Sequence, residues 1–318
     1  MSQTENPVLT VIRLLRRYLW IVKDDGSLAN IYVSQEWYDR ELLKNYDGQI
    51  TVGLERSEFE KLNFDGSLRR KDSYLKVNVW AIDRSCRDKI VADVIRVIGE
   101  RRNKPNVFDY NFVGVGRPTG THKAYHLVSD TEPNPIDNGW NEFTDEEYVK
   151  IWQSDDEHFS KVANENGKYA IALFRFRIDA KKDVIKQLTL KFEGYGTAPA
   201  GNGIIIKIWN NADQTWDNTQ TGNSSSDELL TISLTSNLEN YLDENSYVYL
   251  LSKTAYPSDG TTPATLNVDC VEADFTINGI THCNIISQKD LDETRVKPFL
   301  WRTELMVKTL LFEKVLGG

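Results

Sequence analysis

The sequence predicts an α+β chain in which a small α/β domain is interrupted by an antiparallel β-sandwich. Three observations carry this reading. Residues 74–102 begin with strict alternation, Leu75, Val77 and Val79 against Tyr74, Lys76, Asn78 and Trp80, and pass into a helical period of Ile90, Val91, Val94, Ile95 and Ile98. From about Phe159 onward, short strand-like runs follow one another, separated by Gly, Asn, Ser and Pro clusters and by no long helical period. After Gln288 the texture reverts, and residues 300–312 alternate Leu305, Val307 and Leu311 against Arg302, Glu304 and Lys308. The expected α/β domain, a mixed sheet plus helices, is therefore discontinuous, residues 1–139 with 286–318, around a sandwich at 140–285.

Composition bounds the function. A chain of 318 residues and 36.5 kDa is long for one domain. With 40% hydrophobic and 27% charged residues it has a globular composition. The net charge of -9 argues against a surface that grips nucleic acid, though not against one that lets it pass. Cys86, Cys270 and Cys283 are odd in number and widely spaced, which implies free thiols rather than a disulfide framework or a CxxC metal site. The opening MSQTENP lacks a signal peptide's apolar core, and no run reaches membrane-spanning length, so a soluble intracellular chain is expected.

In chain order, Asn6-Pro7 starts a helix whose apolar face is Val8, Val11, Ile12, Leu15 and Leu19. Arg13, Arg16 and Arg17 lie opposite, as a solvated basic face or, alternatively, one laid on a membrane surface. Strands are expected at 29–33 and, after the turn Asp47-Gly48, at 49–54. Residues 64–71, with Asp65-Gly66 and the basic trio Arg69-Arg70-Lys71, read as a connection. Ser85 with Asp88 resembles a capping box, and Arg101, Arg102 and Lys104 before Pro105 stop the central helix. The run holding Gly114, Gly116 and Gly120 lacks the GK[ST] ending of a phosphate loop and reads as a plain loop. Residues 133–139 read as a linker, and Thr144 with Glu147 caps a short helix over 145–152. Sandwich strands are expected at 170–178, 188–192, 204–209, 229–234, 247–251 and 270–277. Residues 300–312 read as a strand returning to the first domain, with helix an open alternative because Glu, Leu, Met and Lys favour it.

The order helix, strand, strand, alternating strand, helix and late strand resembles the tail-terminator, or tail-completion and neck, proteins of long-tailed phages and archaeal tailed viruses. The residues that carry it are the first helix at 8–19, the strand at 49–54, the unit YLKVNVWAIDRSCRDKIVADVIRVI, and WRTELMVKTLLFEKV at 301–315. The insert resembles a jelly roll of the carbohydrate-binding-module type through YAIALFRFRID, IKIWNNADQTW and VDCVEADF. Typical tail terminators lack such an insert.

Catalytic constellations are missing. His122 and His126 have metal spacing only on a helix, which Gly120 disfavours, and adjacent His282 and Cys283 point apart on a strand. Glu193, Asp269 and Glu272 carry no spacing signal for a paired-carboxylate glycosidase. Asp155, Asp156, Glu157, Asp269 and Glu272 either share a structural calcium or are solvated charges. Trp209, Trp216, Tyr195 and Tyr256 are the candidates for stacking on sugars, with core packing the competing reading for Trp209.

The expected function is non-enzymatic. The resemblance implies a hexameric ring in the virion tail or neck, assembled in the host cytoplasm, that joins the tail tube to the head connector while DNA passes without specific binding. Arg69, Arg70 and Lys71 are the candidate contact with a neighbouring subunit or the tube. The alternative is a module whose jelly roll binds host or virion glycans, and a hydrolase is the remaining class. No membrane partner and no cofactor beyond the calcium are expected.

Overall fold

A computed structural model describes residues 3–35, 37–64, 67–113, 121–292 and 300–314. The elements in chain order begin with α1 (Pro7–Tyr18), β1 (Ile31–Ser34), β2 (Gly48–Lys61), β3 (Leu68–Ala81) and α2 (Arg84–Glu100). There follow β4 (Val107–Tyr110), β5 (Lys123–Ser129), β6 (Asn141–Glu142), α3 (Asp145–Val149), β7 (Phe159–Ala163), β8 (Tyr169–Arg177) and β9 (Ile185–Thr197). The series continues with β10 (Ile204–Asn210), β11 (Thr215–Thr221), β12 (Glu228–Leu234), β13 (Tyr247–Thr254) and β14 (Ala264–Ile277). It closes with β15 (His282–Asp290) and β16 (Trp301–Lys314). Two compact units result: Gln3–Val107 with Ile277–Gly318, and Phe108–Thr276.

The first unit is one sheet in the order β1-β2-β3-β16-β15. Strand β1 runs parallel to β2, and the other three pairings are antiparallel. Residues 300–312 are strand rather than helix, and β16 pairs with β3 from Trp301↔Ala81 to Lys314↔Leu68 without a register shift. Period-two alternation explains the match, because Leu75, Val77, Val79, Leu305 and Val307 are all fully buried on one face. Each such side chain contributes roughly 1.5–3 kcal/mol by burial. The Asp65-Gly66 turn, the glycine run 114–120 and Val315 lie outside the described residues.

Three local expectations are corrected in this unit. The cap of α2 is Asp83, whose carboxylate accepts from the Cys86 amide at 2.8 Å, because the helix begins one residue before Ser85. Arg13 is not solvated: it is buried against Glu5 at 2.5 Å, while Arg16 donates to the Val33 carbonyl at 2.7 Å. The basic trio is not a connection but the start of β3, where cross-strand carboxylates stand opposite it. The Asn6 cap on α1 and the Thr144–Glu147 capping box on α3 are present as expected.

The second unit packs the sheet β11-β10-β13-β8-β5-β6 against the sheet β12-β9-β14-β4, with β7 added on β14. The pairings β8–β13, β10–β13, β5–β8, β9–β12 and β7–β14 are antiparallel. Its core is aromatic: Phe108, Phe112, Phe174, Phe176, Phe192 and Phe275 are fully buried, with Phe112 and Phe176 ring centroids 5.0 Å apart. This unit starts at Phe108, not at 140, because β5 pairs with β8 from Lys123↔Arg175 to Ser129↔Tyr169. At the far end, residues 282–285 belong to β15, which pairs with β16 in the first unit.

One buried cation ties α2 to the end of the chain. Arg87 is 1% exposed, and its Nη1 reaches Asp292 Oδ1 at 3.0 Å and Thr303 Oγ1 at 2.9 Å. Asp292 keeps the Arg302 amide at 3.1 Å, so Arg87→Ala removes the buried stem and the bond to Thr303 and is expected to cost about 1–3 kcal/mol in denaturant unfolding. Lys44→Ala, which removes only an exposed ion pair with Glu41, should stay within about 1 kcal/mol of wild type.

Candidate functional site

Three surfaces bring chemistry-bearing side chains together. The first is an acidic cluster in the second unit, where Asp156 from the turn before β7, Asp227 from the turn before β12 and Asp269 from β14 converge. Their carboxylate oxygens lie within 4.8 Å of one another. Asp269 is fully buried; its Oδ1 accepts from the Asp155 amide at 3.3 Å, and its Oδ2 has no hydrogen-bond partner among the described residues. Burial holds the Asp269 carboxyl above the usual carboxylate range, and the Asp227 charge adds to that. His158 Nε2 stands 2.9 Å from both Asp227 oxygens.

Of the five carboxylates singled out in the sequence, Asp156 and Asp269 meet here. Asp155 contributes its amide, and its own carboxylate accepts from the Glu157 amide at 3.1 Å. Glu157 is exposed in that turn, and Glu272 faces Lys191 at 3.2 Å, beside Asp274. Sequence reasoning missed Asp227, which sits in a Ser-rich run that reads only as a turn.

The second surface is the outer face of the six-stranded sheet. The register Tyr125↔Leu173↔Leu251, with Trp209↔Trp216 on the next pair, puts these side chains opposite the Phe174–Leu250 layer. Trp209, Leu173 and Tyr249 are buried there, with Tyr125, Trp140, Trp216 and Tyr247 packed against them. Residues 132–140 lie across this face rather than acting as a linker. The Trp216 indole donates to the Pro133 carbonyl at 3.0 Å, and Glu132 holds Lys207 at 2.7 Å and Lys253 at 3.0 Å. Trp209 is therefore a core residue and Trp216 is half-buried beside it, their centroids 5.1 Å apart. Tyr195 packs edge-on against His158, and Tyr256 is exposed above Gly201, where an added Cβ would come within 3.3 Å of its ring. The four aromatic candidates do not form one site.

His122, His126 and the two buried thiols are packing groups. His122 stacks near Tyr110 and Phe176, and His126 near Phe143 and Phe159, where burial pushes its pKa down. Burial pushes the Cys270 and Cys283 thiols up to about 12, which leaves them inert as nucleophiles.

The third surface belongs to the first unit. Strand β1 covers β2 only over residues 48–51, so among the described residues β2 has no strand partner on that side from Val52 to its end. Along that stretch Leu54 and Phe59 are exposed, Phe59 by 55%, with Phe312 exposed on β16. A cleft of about 550 Å³ opens on the sheet face beside this edge, lined by Thr51–Glu55 of β2 together with Trp80, Arg302 and Trp37, and Trp37 is 94% exposed at its rim. The basic trio is already paired within its own chain: Arg69 with Glu313 at 2.8 Å, Arg70 with Glu60 at 2.9 Å and Lys71 with Glu313 at 3.9 Å. It therefore offers no free positive patch to a neighbour.

A family model described as "Uncharacterized protein, C-terminal domain" matches residues 119–277. No curated protein matches the chain. Among solved structures, a xylan-binding module, CBM15, has a TM-score of 0.30 at 11% identity and covers 54% of this chain and 97% of its own. A family 11 carbohydrate-binding module from Clostridium thermocellum, in complex with a β-1,3-1,4-mixed-linked tetrasaccharide, scores 0.21 at 9% identity over 53% of this chain and 88% of that one. The cowpea mosaic virus top component scores 0.20 at 8% identity over 51% and 81%. Scores of this size do not bear on what this chain binds.

The clamp over the aromatic face has a defined acid response. Burial alone would raise the Glu132 carboxyl, but Lys207 and Lys253 outweigh it and hold it below the usual range. A carboxylate with a depressed native pKa stabilises the fold above its unfolded value, and that contribution is lost as the pH falls through the native one. Glu132→Gln is expected to lower stability at neutral pH by about 1–3 kcal/mol. Unfolding curves for variant and wild type should draw together as the pH falls below the ordinary carboxylate range and through the depressed native pKa of Glu132, where the wild-type advantage is titrated away.

Proposed function

Through residues 119–277, half its length, this chain belongs to the family described as "Uncharacterized protein, C-terminal domain", and from that premise we propose a structural, non-enzymatic role in which copies join through the first unit and the β-sandwich is carried as an attached module. The observation that carries this reading is the unpaired side of β2. Ten residues of strand edge, with Leu54, Phe59 and Trp37 exposed beside it, are what a neighbouring chain covers in an assembly. The sheet ends in β15 on its other side. A neighbour that meets the β2 edge with a different patch makes a heterologous joint, which closes into a ring when its rotation allows, whereas two β2 edges laid together give a two-fold dimer.

The specific form of the reading is a tail-terminator or neck ring of a virion, assembled in the host cytoplasm as a hexamer between tail tube and head connector. Its support is the element order of the first unit, a helix, a long antiparallel strand pair, a second helix and a late strand in one sheet. The net charge of -9 suits a ring through which DNA slides without adhering. Glycan binding by the sandwich is the second reading. The aromatic row Tyr125, Tyr247 and Trp216 favours it, and residues 132–140 across that row oppose it.

Light scattering of the full chain is expected to give a closed oligomer. Phe59→Glu and Trp37→Ala should each weaken association by about tenfold or more, while the melting temperature of the protomer stays near wild type. A wild type that remains monomeric at every concentration, or variants that assemble unchanged, would overturn the assembly reading. Saturable binding to a glycan array by that monomer, abolished in Trp216→Ala, would establish the second one.

A further inference from the structure

The acidic cluster of the sandwich carries an inference that does not depend on assembly. Three carboxylates from segments far apart in sequence share a space no wider than 4.8 Å, and the innermost is fully buried. Carboxylates so placed repel one another unless a proton or a cation lies between them. The described charges beside Asp269 are Asp155, Asp227 and His158, and His158 is spent on Asp227. Asp269 Oδ2 is left without a hydrogen-bond partner inside the fold, and buried polar atoms of this kind are rare unless an ion or a water fills the place.

We propose that Asp156, Asp227 and Asp269 hold one divalent cation of the calcium class. The donors are all oxygen, which selects a hard cation over zinc or copper. Calcium accepts six to eight oxygen ligands in a flexible sphere, which suits three carboxylates from separate segments with water filling the rest, whereas magnesium demands a near-ideal octahedron. Asp156 is exposed, which leaves room for water to complete the coordination sphere. The ion ties the turn before β7 to β14 just past Val268↔Phe159, the last pair of that ladder, and brings the turn before β12 to the same point.

The test uses the full chain after treatment with a chelator, titrated with calcium chloride, magnesium chloride or zinc chloride by calorimetry and followed by thermal melting. One calcium per chain is expected, with a Kd of about 10⁻⁵–10⁻³ M and a raised melting temperature. Calcium should bind at least about tenfold tighter than magnesium. Asp227→Asn and the exposed Asp156→Asn should each weaken calcium binding by about tenfold or more. Without the ion, Asp156→Asn should melt at or above wild type, since a repelling charge has gone, whereas Asp227→Asn also gives up its ion pair with His158. No saturable calcium binding up to about 10 mM would overturn the site, given the weak end of known calcium modules. Variants that bind calcium like wild type, or a site that takes zinc in preference to calcium, would overturn it as well.

Discussion

The first unit depends on the ladder between β3 and β16. Fourteen consecutive residues of each strand pair without a shift, although more than two hundred residues separate them in sequence. Closing a loop of that length is costly in a flexible chain. Here the sandwich shortens it: Ile277 donates to the Asn106 carbonyl at 2.9 Å, and the Asn106 side chain returns a bond to the Ile277 carbonyl at 3.2 Å. The chain leaves and re-enters at one place, so β16 meets β3 at nearly the entropic cost of a short connection. Arg87 then fixes α2 to the same strand through Thr303.

What was legible in the sequence follows from how local its cause is. The ladder was legible because alternation of Leu75, Val77 and Val79 matches that of Leu305, Val307 and Leu311, and a one-residue slip would turn both sets to solvent. The Asn6 cap and the Thr144–Glu147 box depend on residues two or three apart, and both could be seen. Strand β5 was hidden because only Val128 of its inward positions is a strong hydrophobe, the others being Ala124 and His126. Strand β11, TWDNTQT, is a polar strand at the end of its sheet with the same problem. Arg13 looked solvated because its partner Glu5 precedes the helix, and helical periodicity says nothing of residues outside the helix.

The candidate sites were less legible, for the same reason. Asp156 and Asp269 were named as carboxylates near strand ends, but Asp227 joins them only through the pairing of β12 with β9 and of β7 with β14. Nothing in a Ser-rich turn announces that partner. Trp216 is a candidate for stacking on sugars by sequence, while Pro133 and Glu132 lie over its face of the sheet in a segment whose Pro, Asn and Asp content suggests a linker. Composition describes a segment's stiffness and polarity, not the surface beneath it.

The discontinuity of the first unit also sets a timetable. On the ribosome β4 to β14 emerge before β16, so every strand of the sandwich is available while β3 still has one bare flank. Until residues 301–314 arrive, that flank presents fourteen unpaired positions, and the unit cannot reach its final sheet. Completion of the first unit thus waits until residues 301–314 have been made, after the whole sandwich. Until then the bare flank of β3 is an open strand edge, a template on which another nascent chain can pair, and only β16 closes it.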